Sequence, residues 1–157
     1  MKNRLPSYPL MLIDPFFSLW SPADTLNEGD TAFWTGASKR AYGYVQADGV
    51  TYRFMGGRGG TALEQTEVTV SALKTTYAFA CDAFDLTVDF LSPRDPRDPM
   101  LLSMPTALVD VHIAPKKKIK KLTTVIAFDE NVCYDTYNDV TGCVLKAGKY
   151  RAATMGV

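Results

Sequence analysis

The sequence predicts an all-β fold: an antiparallel β-sandwich led by an irregular, proline-rich wrapping segment. Three observations carry that reading. Apolar and polar residues alternate with period two through most of the chain from residue 41 onward. Asp48-Gly49 separates two such runs, and Asp-Gly suits a type I′ hairpin turn because both central positions need positive φ. No stretch of helical length repeats its apolar positions with a period of 3.6.

Residues 1–40 read as the wrapping segment. Pro6, Pro9, Pro15 and Pro22 each remove a backbone donor and push the preceding residue towards extended geometry. Among them lie Tyr8, Phe16, Phe17 and Trp20. Ser21 suits the N-cap of one helical turn with Pro22 at its first position, and Asn27-Glu28-Gly29-Asp30 reads as a turn.

Residues 41–157 read as the sandwich, forming one structural unit with the wrap. Ala41 to Ala47 and Thr51 to Met55 flank the Asp48-Gly49 turn, and Gly56 to Gly60 form a loop. Val68, Val70 and Ala72 alternate with polar neighbours, and Tyr77, Phe79 and Cys81 with smaller ones. Phe84, Leu86, Val88 and Phe90 give the clearest strand, with Asp85, Thr87 and Asp89 predicted on its outer face. The prolines and charges of Ser92 to Pro99 mark a long loop. Strands follow at Val109–Ile113 and Leu122–Phe128. Two short ones near 131–136 and 142–146 surround a turn at Asn138-Asp139, and Tyr150 to Met155 form the last. About nine short strands with regular turn spacing are the pattern of a sandwich.

Composition narrows the function classes. The 157 residues hold 17 Lys+Arg and 17 Asp+Glu, and this neutral balance argues against general nucleic-acid binding. The one charge run, Lys116 to Lys121, follows Pro115 and lies between strands, so it reads as a solvated turn. No apolar stretch is long enough to span a membrane, and Leu10 to Ile13 is too short for a signal-peptide core.

No chemistry-bearing constellation emerges. Gly57-x-Gly59-x-x-Ala62 matches a dinucleotide fingerprint only superficially, because period-two alternation follows it where a helix is needed. His112, the single histidine, sits beside Asp110 on the polar side of its strand without a nucleophile motif. Asp85 and Asp89 are too far apart along a strand for a glycosidase pair. No cofactor, metal or catalytic residue is predicted. Cys133 and Cys143 face each other if their hairpin centres on Asn138, which makes a cross-strand disulfide available. Free buried thiols suit the odd count with Cys81 equally well. Trp34, Thr35, Gly36, Tyr42 and Tyr44 are the candidate interface or ligand platform; the alternative is that these aromatics are core.

Several stretches together resemble the N-terminal, non-catalytic region of the glutaminase A family. They are Tyr8-Pro-Leu-Met-Leu-Ile-Asp14-Pro-Phe-Phe-Ser-Leu-Trp20-Ser, Gly29-Asp-Thr-Ala-Phe-Trp34-Thr-Gly36 and Asp48-Gly-Val-Thr-Tyr-Arg-Phe-Met55-Gly, with weaker support from Phe90-Leu-Ser-Pro93, Ser103-Met-Pro105 and Tyr150-Arg-Ala-Ala-Thr-Met-Gly156. The resemblance implies a β-sandwich region, described as domains of unknown function, ahead of a helical six-hairpin domain that holds the L-glutamine amidohydrolase site. It implies that the chain stops before that domain and before the sandwich is complete, and that the parent is secreted or periplasmic. The reading is therefore an accessory domain whose partner is the helical catalytic domain, with self-association through Trp34 when that domain is absent. A carbohydrate-binding module, with Trp34 and Tyr42 or Tyr44 as its platform, is the alternative.

Overall fold

The computed structural model describes residues 4–156; the charged start at Met1 to Asn3 and the last residue, Val157, lie outside it. Alternation becomes strand as expected from residue 41 onward. β3 (Ala41–Ala47) and β4 (Val50–Met55) form a hairpin around Asp48, whose φ is +49, and Gly49, whose φ is +90. Both central positions of the turn therefore have the left-handed backbone that Asp-Gly tolerates. The two-residue strand β5 (Thr61–Ala62) lies parallel to β4, and β10 (Leu122–Phe128) lies antiparallel to β3. The sheet order is β10-β3-β4-β5.

The second sheet is a meander of β6 (Glu64–Val70), β7 (Lys74–Ala80), β8 (Phe84–Leu91) and β9 (Leu108–Pro115), in that order. Phe84, Leu86, Val88 and Phe90 are all buried, whereas Asp85 is exposed and Thr87 and Asp89 are only partly covered. A one-residue slip would bury two carboxylates, so this register is strongly specified.

The two four-stranded sheets pack through aromatic rings. Tyr52 of β4 meets Phe84 of β8 edge-on at 5.3 Å, and Phe54 of β4 meets Phe79 of β7 at 6.3 Å. Phe54 has no exposed surface. Its ring lies on Gly43 of β3, where a β-carbon would come within 2.3 Å of it. The architecture is all-β and sandwich-like, with several antiparallel sheets and none closed.

Three expectations are corrected. The wrapping segment is not irregular throughout: β1 (Tyr8–Asp14) and β2 (Phe17–Ser21) form an antiparallel hairpin, with register shifts after Pro9 and after Leu12. Pro9 is accommodated beside one of those shifts, where the ladder is already broken. Ser21 ends β2 rather than capping a helical turn. The expected strand near 131–136 is instead a 3-10 turn at Glu130–Val132, because the Asp129 carboxylate accepts from Asn131 N. The 92–99 loop leads into one short helix, α1 (Pro99–Ser103), capped by Asp98.

Lys116 to Lys121 carries the chain from one sheet to the other, since β9 and β10 lie in different sheets. The Asp48 carboxylate accepts from Lys120 N and Lys121 N, and Lys116 Nζ pairs with Asp85 at 2.7 Å. β11 (Thr141–Ala147) and β12 (Tyr150–Gly156) form a separate hairpin with exposed apolar residues, Val144 and Tyr150 among them.

Leu86→Ala is expected to destabilise the fold by about 2–5 kcal/mol, and Gly43→Ala by about 1–3 kcal/mol through collision with Phe54. Asp85→Ala should cost less than about 1 kcal/mol, because its ion pair is exposed. Urea melts of the three variants check this, and equal losses at positions 85 and 86 would contradict the register.

A donated Thr76 hydroxyl and Lys74 hold the Asp89 carboxyl below its ordinary range. A depressed carboxyl contributes stability that is present above its unfolded pKa and lost as pH falls through the folded value. Thermal melts between neutral pH and strong acid should therefore show a shallower acid-side loss in Asp89→Asn than in the parent chain.

Candidate functional site

The strongest surface feature is built by two tight turns at the N-terminal end. In the first, Asp14 Oδ1 accepts from Phe16 N at 2.7 Å and Phe17 N at 2.8 Å. This Asx-type turn joins β1 to β2 and leaves Phe16 91% exposed. In the second, Phe33 N donates to Ala37 O and Gly36 N to Phe33 O, enclosing Trp34, Thr35 and Gly36 as a three-residue loop. Gly36 has φ +89, the left-handed residue such a loop requires. An added β-carbon there would meet nothing within 4 Å, so turn geometry, rather than close approach of another backbone, explains the glycine.

Trp34 stands at the tip of the second turn, 64% exposed, so the core reading does not hold for it. Its indole Nε1 donates to Pro15 O at 3.0 Å, tying the two turns together. The ring also packs on Phe33 at 5.6 Å. A bridge of backbone hydrogen bonds between Trp20 and Ala32 attaches the second turn to β2. Trp20 is half-buried and lines the groove beside Trp34.

That groove has a volume of about 450 Å³, and Ile13, Pro15, Trp20, Trp34 and Leu102 give it an apolar wall. Arg94 also lines it. Its guanidinium donates to Leu12 O and Ile13 O of β1 and to Leu102 O and Met104 O at the end of α1. The arginine is thus spent on carbonyls. Met100, Leu102 and Met104 are exposed in and just after α1, and Leu102 among them lines the groove. A second cavity of about 170 Å³ lies between Phe16, Phe33, Phe128 and Tyr134, with Lys39 at its edge. Lys39 Nζ donates to Tyr134 O and pairs with Asp135 at 3.0 Å.

Tyr42 and Tyr44 lie elsewhere, on the outer face of β3, stacked at 6.4 Å and 17°. Tyr44 Oη donates to Arg58 O, and Tyr42 lies over Gly56, where a β-carbon would approach its ring to 2.6 Å. Partial burial, and then the nearby Asp30 carboxylate, push the Tyr42 phenol up. Among the described residues, the tyrosine pair and Trp34 share neither an aromatic contact nor a groove. Thr35 is exposed beside Trp34.

Other candidates take structural places. Cys133 and Cys143 do not face each other, because β11 pairs with β12 and sets Cys143 opposite Thr154; all three cysteines are free thiols. His112 is exposed on β9 opposite Thr87. Strands β5 and β6 follow the Gly57–Gly60 loop, without the helix a pyrophosphate site needs. Among the described residues, no group of three or more His, Cys, Asp or Glu side chains is placed to hold a metal ion, and no helix is long and apolar enough to cross a membrane.

Sequence reasoning missed Asn27, Gln65 and Arg94. Asn27 is buried, and its Nδ2 donates to Arg53 O and Leu63 O, joining β4 to the segment after β5. Gln65 Oε1 accepts from Leu26 N. Each satisfies backbone groups far away in the chain, a relation that no local pattern signals.

Iodoacetamide labelling should modify Cys143 first, because it is the exposed thiol, and intact mass should not change on reduction. Trp34→Ser should leave the thermal midpoint within about 2 °C of the parent, as expected for an exposed residue; unfolding of this variant would return Trp34 to the core.

No curated protein and no solved structure matches the chain. Residues 1–66, which hold both tight turns and reach from β1 into β6, match the model of a domain of unknown function (DUF4964), a description that carries no activity and does not name glutaminase A.

Proposed function

We propose that this chain is an accessory β-sandwich domain of a glutaminase A-like amidohydrolase, and that its Trp34 face docks the helical catalytic domain. The observation that carries the proposal is the exposed, pinned Trp34 beside Phe16 and an apolar groove. An indole held by a hydrogen bond at a turn tip has little freedom left to lose on binding, which suits an interface anchor. Exposed apolar surface of this kind marks interaction sites. The resemblance of residues 8–21 and 29–36 to the glutaminase A region supplies the identity of the partner.

Titration of the chain with the helical domain of a glutaminase A-family protein tests the reading. Micromolar binding is expected, weakened at least about tenfold by Trp34→Ser. Absence of binding at about 100 µM of each partner would overturn it. On the same reading, the chain alone releases no ammonia from L-glutamine above background.

The stacked Tyr42–Tyr44 pair favours carbohydrate binding as a second reading, since sugars stack on aromatic faces. Calorimetric titration with oligosaccharides should then show saturable heat that Tyr42→Ala removes, while Trp34→Ser leaves it intact.

A further inference from the structure

The two four-stranded sheets present four edges, and three of them are blunted. β5 is two residues long. β6 carries Glu64 and Glu67 and a register shift between Gln65 and Glu67. β9 carries Asp110 and His112 and ends in Pro115. Short strands, charges, bulges and prolines are the devices that prevent edge-to-edge pairing. β10 has none of them. Leu122-Thr-Thr-Val-Ile-Ala-Phe128 contains no charge, proline or glycine, and it pairs with β3 residue for residue without a shift. Its apolar side chains are also left uncovered: Leu122 and Phe128 are each 42% exposed, and Val125 is 37% exposed.

The flanks of β10 say what would cover it. Lys120 and Lys121 precede the strand, and Asp129 and Glu130 follow it. A second copy of β10 running antiparallel, with Val125 opposite its own counterpart, brings the Lys120–Lys121 end of each copy to the Asp129–Glu130 end of the other; Asp129 already pairs with Arg40 at 3.1 Å, so Glu130, which opens the 3-10 turn after the strand, is the carboxylate left for the lysines. The same register sets Leu122 opposite Phe128 and Thr124 opposite Ile126. Ile126, Leu122 and Phe128 share the inward-facing side of the strand, because they oppose Gly43, Ala47 and Ala41, which are buried on β3. Each end of the strand therefore complements the opposite end of an identical strand in charge and in apolar character. The Lys120 and Glu130 side chains are exposed and make no ion pair among the described residues.

We propose that the chain forms a two-fold symmetric dimer by antiparallel pairing of β10 with β10 of a second copy, joining two four-stranded sheets edge to edge. The interface is isologous, so it closes after two copies and does not propagate into a filament. Strand addition supplies main-chain hydrogen bonds, and cross-strand pairs set the register. The strand pairing needs no contact from Trp34, although Phe128 at the end of β10 lines the cavity that Phe16 and Phe33 also line.

Sedimentation equilibrium of the full chain tests the proposal. A dimer is expected at about 100 µM, and Val125→Lys should make it monomeric, because two lysines would then meet on the axis. Lys120→Glu should weaken dimerisation about tenfold through two like-charge contacts, and Lys120→Glu with Glu130→Lys should restore it. Circular dichroism melts show whether each variant still folds, and the charge-swap pair keeps the test decisive if Val125→Lys does not. Trp34→Ser should leave the dimer intact. A chain that stays monomeric, a dimer indifferent to position 125 and to the swap, or a dimer lost only in Trp34→Ser would each overturn the proposal.

Discussion

Aromatic rings hold the two large sheets in contact, and the most tightly constrained of them is Phe54, seated on Gly43 and reaching to Phe79. Any side chain at position 43 would displace that ring, and the sheets would separate or shift. The β3–β4 register shifts at the same place, between Gly43 and Tyr44. Tyr52 against Phe84, and Tyr77 against Phe90 and Tyr8, extend the same layer towards both ends. Burial of large rings dominates the stabilisation of so small a core. The Tyr77 hydroxyl is buried within it without a hydrogen bond of good geometry, although Ser21 is close enough to offset part of the rise that burial imposes on the phenol.

The N-terminal segment depends on that layer and on polar ties to it. Its strands form only a two-stranded sheet, which is marginal by itself. Side chains from distant parts of the chain satisfy its backbone: Arg94 at Leu12 and Ile13, Gln65 at Leu26, and Ser92 Oγ at Leu12 N. These ties fix the Asp14 and Trp34 turns against the body, so the exposed aromatic face is a rigid feature built on the scaffold.

The legible part of the fold was the part with alternation. Residues 84–90 show one apolar and one polar face, and the structure places them that way because a slip would strand carboxylates in the core. β1 was hidden by Pro9 and by a run of apolar residues that lacks period two, and its pairing needs bulges that the sequence does not announce. Residues 131–136 carry β-compatible side chains, but the Asp129 and Asn131 side chains win the local backbone into a 3-10 turn. The Trp34-Thr35-Gly36 stretch was visible as a motif, whereas the indole's anchorage on Pro15 O joins residues nineteen positions apart and leaves no local trace. Sheet membership was equally hidden: nothing in the lysine run marks it as the passage between layers.

That passage has a consequence for the order in which the molecule assembles. The β6–β9 meander pairs only neighbours in sequence, so each of its strands finds its partner soon after it is made. β3, by contrast, pairs with β10, from which the whole of the other sheet separates it in sequence. The loop closed by that pairing spans the whole meander. Joining β10 to β3 therefore closes a far longer loop than any pairing within the meander, and the lysine crossover is the segment that completes it.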